Sequence, residues 1–325
     1  MALTPIDISH AVQIQAGILG RKTGHAFEED IADAINCLKT PFTINVTIDS
    51  NIFKGNPALS LVNFITAKLN IKVIKSISAL STGTLATAED GKKWLMVNGS
   101  KISKCKSDLI ININDNENKT YTIGVSTKQC NNKSPTNAQL FFTTANGFIN
   151  LLNSNNISAS DNALTALRQF CGENGYQPLD NKDLVSNRKT DPRRYFWEEI
   201  NNDGKKELEI LFTKFQKEIS LLLFQKAYID DIFTPDFLIH KTKKSESWQS
   251  TEVAIYRIDE LVELSFQYKK FELKEYSIRK GSYKDPADVY HLAPRFGIVQ
   301  MQRGGQKQHP EQLQFNLEAG YFYKI

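Results

Sequence analysis

A carboxylate, a hydroxyl and an ammonium fall close together in the sequence. Asp108 follows a serine at the head of an apolar run, Ser126 comes after seventeen intervening residues, and Lys128 lies two further on. The runs that carry them, DLIINI and YTIGVSTK, have β character and are joined by the polar stretch 114–119, which is a hairpin signal. Side chains alternate along a strand, so Ser126 and Lys128 share a face. Antiparallel pairing of the two runs sets Asp108, at the start of the first, beside that face at the end of the second. Such a group suits hydrolysis of a phosphodiester. The carboxylate holds a divalent cation, and the lysine positions or helps to deprotonate the attacking water and offsets charge developing at phosphorus. Glu28, on a helix ahead of the hairpin, can add a second carboxylate. The bare pattern S-D-x17-S-x-K also fits solvated polar caps at strand ends, and an acid in an early helical turn is favoured by the helix dipole alone. The elements around these residues must therefore decide between chemistry and capping.

The helix that bears Glu28 is read from GRKTGHAFEEDIADAINCLK, where Phe27, Ile31, Ala34, Ile35 and Leu38 recur at helical spacing behind Thr23 and Gly24. A second helix is predicted from Asn56 and Pro57, a capping residue followed by proline at the first helical position, through LSLVNFITAKL. WLMVNG reads as a short strand. After the hairpin come a polar loop, QCNNKSPTNAQ, helical patterns over 140–152 and 159–170, and one strong helix over 205–227. The last third alternates short β runs, EVAIYRI, FGIVQMQ and QLQFNL, with polar turns. The expected class is α/β, a central mixed sheet flanked by helices, with additional helices and a C-terminal β-hairpin. No internal repeat or low-complexity linker divides the chain, so a single domain is expected over 1–325. Its catalytic core would cover about 20–155, and a helical, DNA-recognition part about 156–325.

Composition narrows the class. The 325 residues are 41% hydrophobic and 23% charged, enough apolar surface for one large core or two modest ones. No apolar run is long enough to span a bilayer and the N-terminal residues lack the order of a secretory signal, so the expected location is cytoplasmic, with no membrane partner. Cys37, Cys105, Cys130 and Cys171 are scattered and read as reduced thiols. The five histidines form no HNH or HExxH arrangement, and no phosphate loop is present. The net charge of +4 is uninformative by itself, but basic residues cluster at Lys101, Lys104 and Lys106, at Lys128 and Lys133, at 188–194 and at 295–307.

Taken together, these motifs resemble the PD-(D/E)xK nuclease superfamily, and within it compact type II restriction endonucleases with an S-D…(Q/N/S)-x-K signature. The resemblance runs in order through GHAFEEDIADAIN, KCKSDLIININ, GVSTKQCNNKSPTNAQLF, ALRQFCGENGY, TDPRRYFWEEI and GIVQMQRGGQKQHPEQLQFNL, which is most of the chain. It implies a restriction-endonuclease-like fold in which Asp108 is the metal-binding acid, Ser126 the variable middle position, Lys128 the catalytic lysine and Glu28 the helix acid. Ser126 departs from the usual carboxylate, so the ion would lean on Asp108, Glu28, the Thr127 carbonyl, water and phosphate oxygens. The implied activity is Mg2+-dependent cleavage of both strands of double-stranded DNA at a short palindromic site. The implied partner is a separately encoded DNA methyltransferase, and the enzyme would work as a monomer or homodimer. A repair or structure-specific nuclease of the same superfamily and a catalytically degenerate DNA-binding protein are the alternatives.

Two stretches offer groups for reading DNA. One is the loop after Lys128, with Lys133, Ser134, Asn137 and Gln139, together with Lys106 ahead of Asp108. The other is the C-terminal hairpin, with Gln302, Arg303, Gln306 and Lys307 around Gly304 and Gly305.

Overall fold

The computed structural model describes residues 24–44, 46–82, 95–97, 100–102, 106–180, 194–226, 233–277, 290–303 and 312–325. The elements begin with helix α1 (24–36), strands β1 (Phe42–Thr43) and β2 (Ile52–Lys54), helix α2 (Pro57–Lys68) and strand β3 (Val73–Ser81). Strands β4 (Leu95–Val97), β5 (Ser100–Ile102), β6 (Leu109–Asp115), β7 (Thr120–Gln129) and β8 (Ala138–Thr144) follow. Next are helices α3 (Ala145–Asn153), α4 (Asp161–Cys171), α5 (Asn202–Lys214) and α6 (Gln216–Gln225). The chain continues with strands β9 (Phe237–Lys241) and β10 (Glu252–Arg257) and helix α7 (Ile258–Tyr268). Strands β11 (Glu272–Ser277), β12 (Tyr290–Phe296), β13 (Val299–Arg303) and β14 (Gln312–Leu317) close it. Contacts divide the chain into two compact units, one drawing on the spans 19–138, 224–262 and 319–325, the other on 139–223 and 263–318.

In the first unit, apolar residues at odd positions of the strands line one face of a seven-stranded sheet of order β1-β3-β6-β7-β9-β10-β2. Every pairing is antiparallel except β7 with β9, which run parallel, so the sheet is mixed. Helices α1 and α2 cover that face, packing Phe27, Ile31, Ile35, Leu61, Phe64 and Ile65 against Ile111, Ile123, Val125, Ile239 and Ile255. Burying each such side chain is worth roughly 1.5–3 kcal/mol. Helix α2 starts where its cap predicts, with Asn56 Oδ1 accepting the N–H groups of Ala58 and Leu59. Strand β9 was not predicted. Its Phe237, Leu238, Ile239 and His240 are all buried, as befits a strand covered on both faces, and such an uninterrupted apolar run lacks the alternation that marks a strand in sequence. Gly124 on β7 has a steric reason, since a Cβ there would lie 2.4 Å from Ser107 Oγ and 2.8 Å from the Thr234 carbonyl oxygen.

The second unit is built on the five-stranded sheet β11-β12-β13-β14-β8. An aromatic core holds it, with Phe148 against Phe315 at 4.9 Å and Phe212 against Phe296 at 5.0 Å between ring centroids. The expected C-terminal hairpin is present: β13 and β14 pair antiparallel from Val299 opposite Leu317 to Arg303 opposite Leu313, and 304–311 lie outside the described residues. Three sequence expectations change here. The stretch 140–152 begins as strand β8, and its helix starts only at Ala145, where Thr144 Oγ1 accepts the Gly147 N–H at 3.0 Å. The helix expected over 205–227 is two, α5 and α6, separated by Phe215 at φ −113°. A single non-helical residue leaves the spacing of three and four almost intact, which conceals the break. FGIVQMQ is likewise divided, because Gly297 at φ +60° turns β12 into β13.

Among the described residues no helix is long and apolar enough to cross a membrane. Cys37 and Cys130 are in no disulfide, and Cys105 lies outside the described residues.

Candidate active site

The turn between β6 and β7 sets the register of the site. Asp115 Oδ1 accepts the backbone N–H groups of Glu117 and Lys119 at 2.9 and 2.8 Å, and Asn118 takes the left-handed conformation at φ 62°. From that turn the ladder runs from Asn114 opposite Thr120 to Leu109 opposite Val125. Parity then places Ile123, Val125, Thr127 and Gln129 toward α1, and Ser126 and Lys128 on the other face with Asp108. The hairpin reading of the sequence thus delivers the juxtaposition it predicted.

The site forms where β6 stops and β7 goes on. The Asp108 N–H donates to the Val125 carbonyl at 2.9 Å, and beyond that point β7 is held on its other edge by β9. The Thr127 N–H has left the β6 ladder, and Asp108 Oδ2 accepts it at 2.7 Å. Ser126 Oγ donates to the same oxygen at 3.1 Å. Lys128 Nζ stands 3.5 Å from Asp108 Oδ2, 3.1 Å from Ser126 Oγ and 2.6 Å from the Thr127 carbonyl oxygen. The predicted carboxylate, hydroxyl and ammonium are in mutual reach.

Glu28 approaches from the helix side. Thr127 Oγ1 donates to Glu28 Oε1 at 2.9 Å, while Glu28 Oε2 is buried with no hydrogen-bond partner among the described residues. Burial, reinforced by the Asp108 charge, pushes the Glu28 carboxyl up to about 8. Among the described residues no three Asp, Glu, His or Cys side chains converge, so the donor set is two carboxylates. That set fits Mg2+, which is commonly bound by one or two carboxylates and completes its shell with water and phosphate oxygens. A cation here would relieve the orphaned Oε2 and the repulsion between Glu28 and Asp108 together. The Thr127 carbonyl, expected as a further ligand, accepts the Lys128 ammonium in this structure.

Sequence reasoning did not single out His240. It lies opposite Lys128 in the parallel β7–β9 register, is 1% exposed, and has no hydrogen-bond partner at either ring nitrogen among the described residues. Burial, then the Lys128 charge, lowers it to about 3, so the ring is neutral beside the ammonium. Tyr321 stacks near it and Phe322 meets it edge-on at 5.1 Å. The one signal in sequence is its place at the end of an apolar run.

The expected DNA-reading residues are placed unevenly. Lys106 is partly buried; Lys133, Ser134 and Gln139 are exposed, the last on β8. Asn137 is exposed, and its Oδ1 accepts the Ala319 N–H at 2.7 Å. Gln302 belongs to a ladder of amides, donating to Gln300 Oε1 at 2.9 Å and accepting from Asn316 Nδ2 at 3.2 Å. The side chain of Arg303, and all of Gln306 and Lys307, lie outside the described residues. One member of the C-terminal basic cluster is architectural: Arg295 is 1% exposed and ion-paired with Glu272 and Glu318.

No family model and no curated protein matches the chain. Among solved structures, it is similar to the restriction endonuclease MspI in complex with its cognate DNA, at 12% identity and a TM-score of 0.40, over 80% of this chain and 78% of that one.

Proposed function

We propose that the protein is a Mg2+-dependent type II restriction endonuclease that cuts both strands of DNA at a short palindromic site. The observation that carries this reading is the meeting of Asp108, Ser126 and Lys128 at the splayed end of β6 and β7, with the Glu28 carboxylate behind them holding a buried, unpartnered oxygen. Asp108 and Glu28 would hold the cation, which supplies Lewis-acid polarisation of the phosphate when bound. Lys128 orients the attacking water and offsets negative charge developing on the phosphate oxygens. Ser126, a neutral hydroxyl, bridges Asp108 and Lys128 and keeps both in place without adding charge. The Thr127 hydroxyl anchors Glu28.

Lys106, Lys133, Ser134, Asn137 and Gln139 form one set of proposed DNA contacts, and Gln302, Arg303, Gln306 and Lys307 another. The two compact units would serve as one nuclease, acting in the cytoplasm as a monomer or homodimer beside a separately encoded methyltransferase. Incubation of plasmid DNA with protein and Mg2+ tests the reading. Discrete fragments whose sequenced ends share one palindrome are the expected result, whereas a smear points to a structure-specific or repair nuclease. The serine at position 126 favours a second reading, a DNA-binding protein without activity. Intact plasmid alongside tight duplex binding would decide for it.

A further inference from the structure

A cavity of about 320 Å³ lies on the α1 face of the first unit, the face opposite Ser126 and Lys128, and shares two elements with the Asp108–Lys128 cluster. Phe27 precedes Glu28 on α1, and Gln129 follows Lys128 on β7. The cavity's remaining chemistry comes from Asp30 on the next turn of α1, Asn131 after β7, Lys241 at the end of β9, and Trp248. Its volume is at the lower end of the range for small-ligand sites.

The groups are those a nucleotide requires. Trp248 is partly exposed, lines the cavity and meets Phe27 at 62° with 6.0 Å between ring centroids, and an indole is a platform on which a base can stack. Asn131 Nδ2 donates to Gln129 Oε1 at 3.3 Å, a bond that leaves the pair with further donors and acceptors for a base edge. Lys241 Nζ donates to Asn131 Oδ1 at 3.3 Å and lies 5.9 Å from the Phe27 ring centroid. Burial lowers the pKa of Lys241, so a bound anion would favour its charged form. Asp30 is exposed and lines the cavity from α1, where its carboxylate offers an acceptor for base N–H groups.

We propose that this cavity is a nucleotide subsite, taking a base against Trp248 while Lys241 holds that nucleotide's phosphate. The inference rests on the nuclease reading for the role of the subsite.

The test is a titration of the full-length, metal-free protein with deoxynucleoside 5′-monophosphates, followed by tryptophan fluorescence, with inorganic phosphate and free deoxyribose in parallel. Saturable quenching with Kd on the order of 1 mM is expected for the nucleotides alone. Trp248→Phe should abolish the quenching and Lys241→Gln should raise Kd about fivefold, one lost charge-assisted contact. Circular dichroism establishes that both variants fold, and a Kd for Trp248→Phe by competition with a fluorescent nucleotide separates loss of signal from loss of binding. Absence of saturable quenching up to about 20 mM, well beyond the expected Kd, overturns the proposal, as does the same quenching in Trp248→Phe or equal quenching by phosphate. Because no cleavage is read, a protein that binds nucleotides in this pattern yet leaves plasmid intact keeps the subsite and loses the nuclease reading. One that cuts DNA without such binding does the reverse.

Discussion

Two carboxylates, Glu28 in the first unit and Glu318 in the second, are withdrawn from solvent and end in opposite states. Burial alone would raise the Glu318 carboxyl, but hydrogen bonds from Lys274 and the buried Arg295 carry it below the usual range. Glu28 also meets burial, yet its nearest neighbours are the Thr127 hydroxyl and the like-charged Asp108, and it rises to about 8. A carboxylate enclosed with its own cations is architecture, complete within the fold. One enclosed with another carboxylate and an unpartnered oxygen is completed only by something from outside.

The comparison can be broken at either end. The largest effect is expected at the cluster itself: Asp108→Asn should lower DNA cleavage at least about 1000-fold, about 4 kcal/mol of barrier, while duplex binding in Ca2+ persists. Cleavage within about tenfold of the parent would remove Asp108 from the metal site. Next, Arg295→Met leaves Glu318 and Glu272 without their shared guanidinium and should cost about 3 kcal/mol in urea denaturation, because the charge-assisted hydrogen bonds of a fully buried side chain are lost. An unchanged midpoint would mean the pair is replaceable by packing.

The pH dependence of Glu28 comes third. Below pH 4.5 the carboxyl is protonated in folded and unfolded chain alike; from there to about 8 the unfolded chain releases the proton while the fold retains it. Stability of the metal-free protein should therefore fall as pH rises through that window, by about 2–4 kcal/mol, and Glu28→Gln should flatten the profile. Mg2+ should restore stability in the parent most strongly near pH 8, where it competes with the fewest protons. A parent and variant with parallel profiles would contradict the assignment. The smallest effect belongs to His240, whose two ring nitrogens lack partners among the described residues. His240→Phe should change the denaturation midpoint by less than about 1 kcal/mol, since no buried hydrogen bond is lost. A large loss would reveal a partner for the ring.

The sequence by itself determined the local parts of this protein. The periodicity through Phe27, Ile31 and Ile35 specified α1 and the position of Glu28 on it, and Asn56 with Pro57 specified where α2 begins. The Asx turn at Asp115 fixed the register that puts Asp108 beside Ser126, because a short turn leaves two flanking strands no alternative pairing that keeps their apolar residues on one face. Those interactions span few residues, so their residue types announce them. What only the tertiary structure decided is everything that joins distant segments. Strand β9 pairs in parallel with β7 across more than a hundred residues of chain, and its all-apolar run carries no mark of its partner or direction. That pairing sets His240 opposite Lys128 and Lys241 beside Gln129, and thereby makes both the neutral neighbour of the ammonium and one wall of the cavity. The state of Glu28 was equally beyond the sequence. An acid in a helix's first turns reads as solvated, and only packing against β7 removes its water and brings the charge of Asp108 to bear.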